Sequence, residues 1–127
     1  MPIRWTISHP ERLVLVACEG PLTRADIESY LDGIVVDGAM PYRKLFELTD
    51  ATLGLVDGDM MALGARIQAY VRTMPDGMGP LAIVAPTDGH REHAQMFTAL
   101  AVGPRQVKIF SDTPAARKWL DSFTVGS

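Results

Sequence analysis

Basic clusters are absent from this chain. Its twelve lysines and arginines are dispersed against fifteen carboxylates, for a formal net charge of −3. The longest basic groupings, Arg43-Lys44 and Arg117-Lys118, read as solvated faces. A nucleic-acid surface needs a basic stripe to neutralise phosphates, and none is present. Cysteine is reduced to Cys18, so no internal disulfide can form and disulfide-built secreted scaffolds drop out. That residue lies in the apolar run Leu13 to Cys18 and reads as a small core side chain. The same run is the longest unbroken apolar stretch, far short of the ~20 residues a membrane helix requires. Met1-Pro2-Ile3-Arg4-Trp5 lacks the charged-then-apolar order of a targeting segment, so the cytoplasm is the expected compartment.

Signatures of catalysis are missing too. There is no Gly-x-Ser-x-Gly, and Ser29, Ser111 and Ser122 have no local pattern that would activate a hydroxyl. Gly54, Gly58 and the Gly77/Gly79 pair fit neither phosphate-loop nor dinucleotide spacing and read as turn and cap residues. His90 and His93 stand three apart, but two histidines are too few for a metal site. Asp57-Gly58-Asp59 offers fewer oxygens than a calcium loop needs and reads as a helix cap. No catalytic residue, metal or cofactor is expected.

What the chain does have is enough apolar material for a core. Hydrophobic residues make up 47% of 127, which suits one domain spanning residues 1–127. Ile3, Trp5 and Ile7 alternate with polar residues, the period of a half-buried strand, and His9-Pro10-Glu11 makes a turn. Leu13 to Cys18 is a strand covered on both faces, ended by Gly20-Pro21. Thr23 and Asp26 form a capping-box start to a helix with Ile27, Tyr30, Leu31 and Ile34 on its inner face. Arg43 to Leu48 is a short strand, followed by an irregular loop over Ala51 to Asp57.

A second helix starts near Asp57 or Asp59, with Met60, Leu63 and Ile67 in its apolar stripe. Leu81 to Ala85 is another buried strand, and Phe97, Leu100 and Ala101 mark the inner face of a third helix. Val107 to Phe110 is the last strand. Asp112-Thr113-Pro114 starts a last helix that presents Ala116, Trp119, Leu120 and Phe123 to the core. Gly33 and Gly64 lie inside helices at a cost of up to ~1 kcal/mol each, a sign of close packing. This alternation predicts an α/β fold: one mixed, mainly parallel five-stranded sheet with an antiparallel first strand, and four helices.

Several segments, taken in order, resemble a known family. They are Gly20-Pro21-Leu22-Thr23, Leu48-Thr49-Asp50, Leu81-Ala82-Ile83-Val84-Ala85, Ala94-Gln95-Met96-Phe97, Val107-Lys108-Ile109-Phe110-Ser111-Asp112 and Trp119-Leu120. Together they are similar to the SpoIIAA-like branch of the STAS superfamily, small bacterial proteins also compared with a lipid-carrying fold. The resemblance implies a non-catalytic binding or regulatory module that contacts a protein partner. The alternative it implies is a carrier of a small apolar or lipid-like ligand, and the methionines Met60, Met61, Met74, Met78 and Met96 would suit such a lining. A homodimer is a further partner expectation. One departure matters. Anti-sigma-factor antagonists of the superfamily carry Asp-Ser or Asp-Thr followed by glycine at the second helix; here Ala51 separates Asp50 from Thr52, and Val56-Asp57-Gly58-Asp59 has no hydroxyl.

Function in open α/β sheets gathers at the carboxyl ends of the parallel strands. The loops expected there are Gly20–Thr23, Thr49–Asp59, Pro86–His90 and Ser111–Pro114. Thr23 and Asp112 are explained as caps. Asp50, Thr52, Thr87 and His90 are the candidate partner- or ligand-contact residues, with Asp50 and Thr52 placed in a long loop before the second helix.

Overall fold

A computed structural model describes residues 3–53, 56–73, 79–100 and 106–123; the side chains at 49–53, 57, 71, 93 and 96–100 lie outside that description. The elements run β1 (Ile3–Ser8), β2 (Leu13–Leu22), α1 (Arg24–Val36), β3 (Arg43–Leu53), α2 (Asp57–Thr73), β4 (Leu81–Val84), α3 (Asp88–Leu100), β5 (Val107–Phe110) and α4 (Thr113–Asp121). The strands form one five-stranded sheet in the order β1-β2-β3-β4-β5. β1 is antiparallel to β2 and every other pairing is parallel, as the alternation predicted.

A parallel sheet with strands in sequence order and crossovers of one hand puts its connecting helices on one face. The packing agrees. Ile27, Tyr30, Leu31 and Ile34 of α1, Leu63 and Ile67 of α2 and Ala94 of α3 share a core with Val14, Val16 and Ile83 of the sheet. On the opposite face, among the described residues, only α4 packs, with Ala116 and Leu120 against Leu13, Leu45, Ala82 and Val84. That helix covers β3, β4 and β5. Over β1 and the later part of β2 the same face is open among the described residues, and there Arg4, Thr6 and Ala17 are exposed.

Local signals set the helix ends. Thr23 and Asp26 make a full capping box on α1, and Gly38, at φ +70°, turns the chain away beyond its last residues. Asp112 caps α4 by accepting from the amide of Ala115 at 2.8 Å. Asp32 of α1 accepts from Arg66 at 2.9 and 3.1 Å and from the Tyr70 hydroxyl at 3.0 Å, which ties α1 to α2. The Tyr70 hydrogen bond, and after it Arg66, holds the Asp32 carboxyl below its ordinary value.

The glycine inside α1 has a packing reason. A Cβ on Gly33 would lie 2.6 Å from Trp5 Cζ2, so the bare backbone lets the β1 tryptophan lie across the helix. Trp5, Tyr30 and Phe46 then meet edge to face, with centroids 5.6 and 5.5 Å apart.

Three expectations are corrected. β2 does not stop before Gly20-Pro21 but runs to Leu22, with Gly20 at φ +68°. β3 does not stop at Leu48 but runs to Leu53, pairing with β2 again from Asp50 after a bulge. The pair Arg43-Lys44 is not a solvated face. Lys44 is 2% exposed, and its Nζ donates to the carbonyls of Met40 and Tyr42, the latter at 2.8 Å. Arg43 donates to Leu120 O at 3.1 Å and to Glu11 O at 2.8 Å, joining the β1–β2 turn to the end of α4. Both cations serve backbone carbonyls at the amino end of the strands, a surrounding that only the fold assembles.

The expected core faces hold for Ala116 and Leu120. Trp119 and Phe123 are half-buried instead, stacked edge to face at 4.9 Å. Of the methionines, Met60 is buried and Met61 is exposed. Met74, Met78 and Ala101 lie outside the described residues, as do the side chains of Met96, Phe97 and Leu100.

Candidate functional site

At their carboxyl ends the strands stop at different heights. β4 pairs with β3 only from Lys44 to Glu47, whereas β2 stays with β3 to Leu53. β3 therefore continues six residues past its last β4 pair, roughly 20 Å of strand at the usual rise. A bulge begins the extension: Ala17 pairs with Glu47 and Glu19 with Asp50, so Leu48 and Thr49 stand against Cys18 alone. Asp50 is then the ladder partner of Glu19, and Thr52 that of Pro21. Neither occupies the loop expected for it.

Helix starts surround the extension. The amide of Val56 donates to Asp59 Oδ2 at 3.2 Å, so Asp59 holds the first turn of α2. Arg24 Nη1 of α1 lies 3.8 Å from Asp59 Oδ1, which places the first turns of the two helices side by side. At the start of α2, Val56 is 66% and Met61 67% exposed, two of the three large apolar side chains that are exposed among the described residues.

Thr87 and His90 meet at the start of α3, where the His90 amide donates to Thr87 Oγ1 at 3.1 Å. Thr87 is thus a helix cap. One turn further, Arg91 donates to the Ser111 hydroxyl at 2.8 Å and links the ends of β4 and β5. The His93 side chain lies outside the described residues, and among these no three histidine, cysteine or acidic side chains gather as metal ligands.

On the α4 side, Glu47 accepts from the Thr113 hydroxyl at 3.1 Å and borders a shallow groove of about 240 Å³. Arg4, Thr6, Leu15, Val16 and Ala17 form the rest of its lining. Through the sheet from this carboxylate sits Cys18, 4% exposed. Burial first, and the Glu47 charge second, push its thiol from the ordinary 9.0 to about 12. The core reading of Cys18 holds, and its sulfur is a thiol at neutral pH.

Sequence reasoning missed Glu47, Val56 and Met61. A charged residue inside Leu45-Phe46-Glu47-Leu48 was a usable signal for an uncovered strand face. Val56 and Met61 carried none, because an apolar residue beside a helix start reads equally as core or surface.

This architecture defines a class: an open α/β sheet with three helices on one face and one on the other. It is the SpoIIAA-like fold. A crystal structure from Shewanella loihica PV-4, of an uncharacterized protein from the DUF3478 family with a SpoIIAA-like fold, superposes on the chain with a TM-score of 0.63. The alignment covers 93% of each chain at 20% identity, so the likeness is one of fold. No family model matches the sequence. No curated protein matches it either. Among the described residues no helix is long and apolar enough to cross a membrane.

Proposed function

We propose that the chain is a non-catalytic binding module that engages a protein partner at the carboxyl end of its sheet, around the starts of α1 and α2. The observation that carries this reading is the exposure of Val56 and Met61 at the start of α2, whose first turn the Arg24–Asp59 ion pair joins to α1. Apolar side chains rimmed by charge are the ordinary makeup of a contact patch between proteins. Asp50 and Thr52 belong to the same proposal through the strand extension that leads into α2. Thr87 and His90 extend it to the start of α3. The polar groups there support binding rather than chemistry, because Thr23, Asp59 and Thr87 use their oxygens on helix amides.

The carrier reading finds less among the described residues, where a groove of about 240 Å³ with Arg4, Thr6 and Glu47 in its lining falls below the roughly 300–1,000 Å³ of small-molecule pockets. Native mass spectrometry of freshly purified protein separates the two. The bare chain mass is expected; a retained apolar ligand would replace this reading with the carrier. The paired variant Val56→Asp/Met61→Asp should keep its melting temperature, since both side chains are exposed, and should lose capture of the partner. Unchanged capture would remove the patch from the account.

A further inference from the structure

Toward its carboxyl end the sheet narrows to two strands. The last β3–β4 pair is Glu47 with Val84, and the outermost β1–β2 pair at that end is Ile3 with Cys18. Past those points, among the described residues, only β2 and β3 stay together, 19–22 against 50–53. β4 ends because its chain leaves the sheet. Ala85 still donates to Phe110 O at 2.8 Å, but Pro86 has no amide and α3 begins at Asp88. The β4 side of β3 over residues 48–53 therefore has no backbone partner among the described residues. Resting on the binding reading of the carboxyl end, we propose that this edge takes an extended, basic segment of the protein partner as an added strand.

Backbone chemistry selects the occupant. A strand edge presents amides and carbonyls in one plane, and another extended backbone is what matches them along its length. The six residues give roughly 20 Å of edge, the span of a six-residue peptide. The outer edges of the sheet are blunted in the ordinary ways: β5 is four residues long and carries Lys108, and β1 carries Arg4. Residues 48–53 contain no lysine, arginine or proline. Two strands alone also make a marginal sheet, so a third strand gains by joining them.

Charge narrows the partner further. Over residues 45–53 the strand carries two carboxylates, Glu47 and Asp50, and no cation. Opposite charges on neighbouring strands attract, so the added strand should place a lysine or arginine beside Asp50.

Hydrogen exchange followed by NMR tests this residue by residue. In the dilute free chain, alternate amides over 48–53 should exchange freely while those bonded to β2 stay protected. A capped six-residue peptide of alternating lysine and valine, added to about 1 mM, should protect and shift the free set. N-methylation of one of the peptide's two alternate sets of residues should weaken binding at least about tenfold, because it removes backbone donors and keeps every side chain. Asp50→Lys should weaken this peptide and favour its counterpart with glutamate for lysine. Edge amides already protected in the dilute chain would mean that the chain covers its own edge. Protection that appears only on concentrating the chain would mean that a second copy does. Either result overturns the proposal, as does a peptide that leaves 48–53 unmoved or binds equally well with either set methylated. The apolar patch is read separately: partner capture unaffected by Val56→Asp/Met61→Asp removes the patch and leaves the edge, and an unmoved edge leaves the patch.

Discussion

Gly79 shows how one residue can be fixed by its neighbours' backbone. Its amide donates to Met40 O at 3.2 Å, and any Cβ there would collide with the carbonyl oxygens of Pro41 and Tyr42. Lys44 holds two carbonyls of that same turn, so the turn has little room to yield. Gly79→Ala should therefore cost about 2–4 kcal/mol in urea unfolding, as overpacking against backbone does. A cost under about 0.5 kcal/mol would show that the turn moves freely. Cys18 gives a pH-dependent expectation. Its thiol is raised to about 12 in the folded chain against 9.0 for an ordinary one, so above that lower value the unfolded state loses a proton that the folded state keeps. Its contribution is intact below pH 9.0 and declines toward about 12, by at most ~1.4 kcal/mol per pH unit. Cys18→Ala should flatten that part of the stability–pH curve relative to wild type. Parallel curves would contradict the assignment. In the native state at neutral pH the thiol should also resist Ellman's reagent.

Elements were legible in the sequence where apolar period and cap chemistry spoke together. Thr23 with Asp26, Asp112 with Pro114, and the runs at Leu13 and Leu81 all form the predicted structures. The distal half of β3 was not legible. Thr49-Asp50-Ala51-Thr52 has no apolar alternation, and aspartate is rare in strands. What makes it a strand is the ladder to Glu19–Leu22, about thirty residues away, which no local pattern encodes. The candidate site moved with it, because Asp50 and Thr52 passed from loop to ladder. Trp119 makes the same point for α4. Helical spacing placed it on the inner face, and it does touch Phe110 and Phe123, yet it stays half-buried at the edge of the β4–β5 core. Full burial would set Trp119→Ala at roughly 3–5 kcal/mol; half-burial sets it nearer 1.5–3 kcal/mol. A loss below about 1 kcal/mol would make the ring a surface contact, and one above 4 would mean it is buried more deeply than the packing shows.

At the scale of the whole molecule, the two ends of the sheet differ. The amino end of the parallel strands is bound up in structure: Arg43, Lys44 and Gly79 hold turns together there. At the carboxyl end the strands finish at uneven heights, α1 and α2 start side by side, and Val56 and Met61 face solvent. Amide-shift mapping of isotope-labelled protein, with fractionated cell extract added, tests this division most directly. The account predicts shifts at Thr23–Asp26, Val56–Met61 and Thr87–His90, with little change at Met40–Lys44 and Gly79. Shifts confined to the amino end, or to the outer faces of the helices, would contradict it.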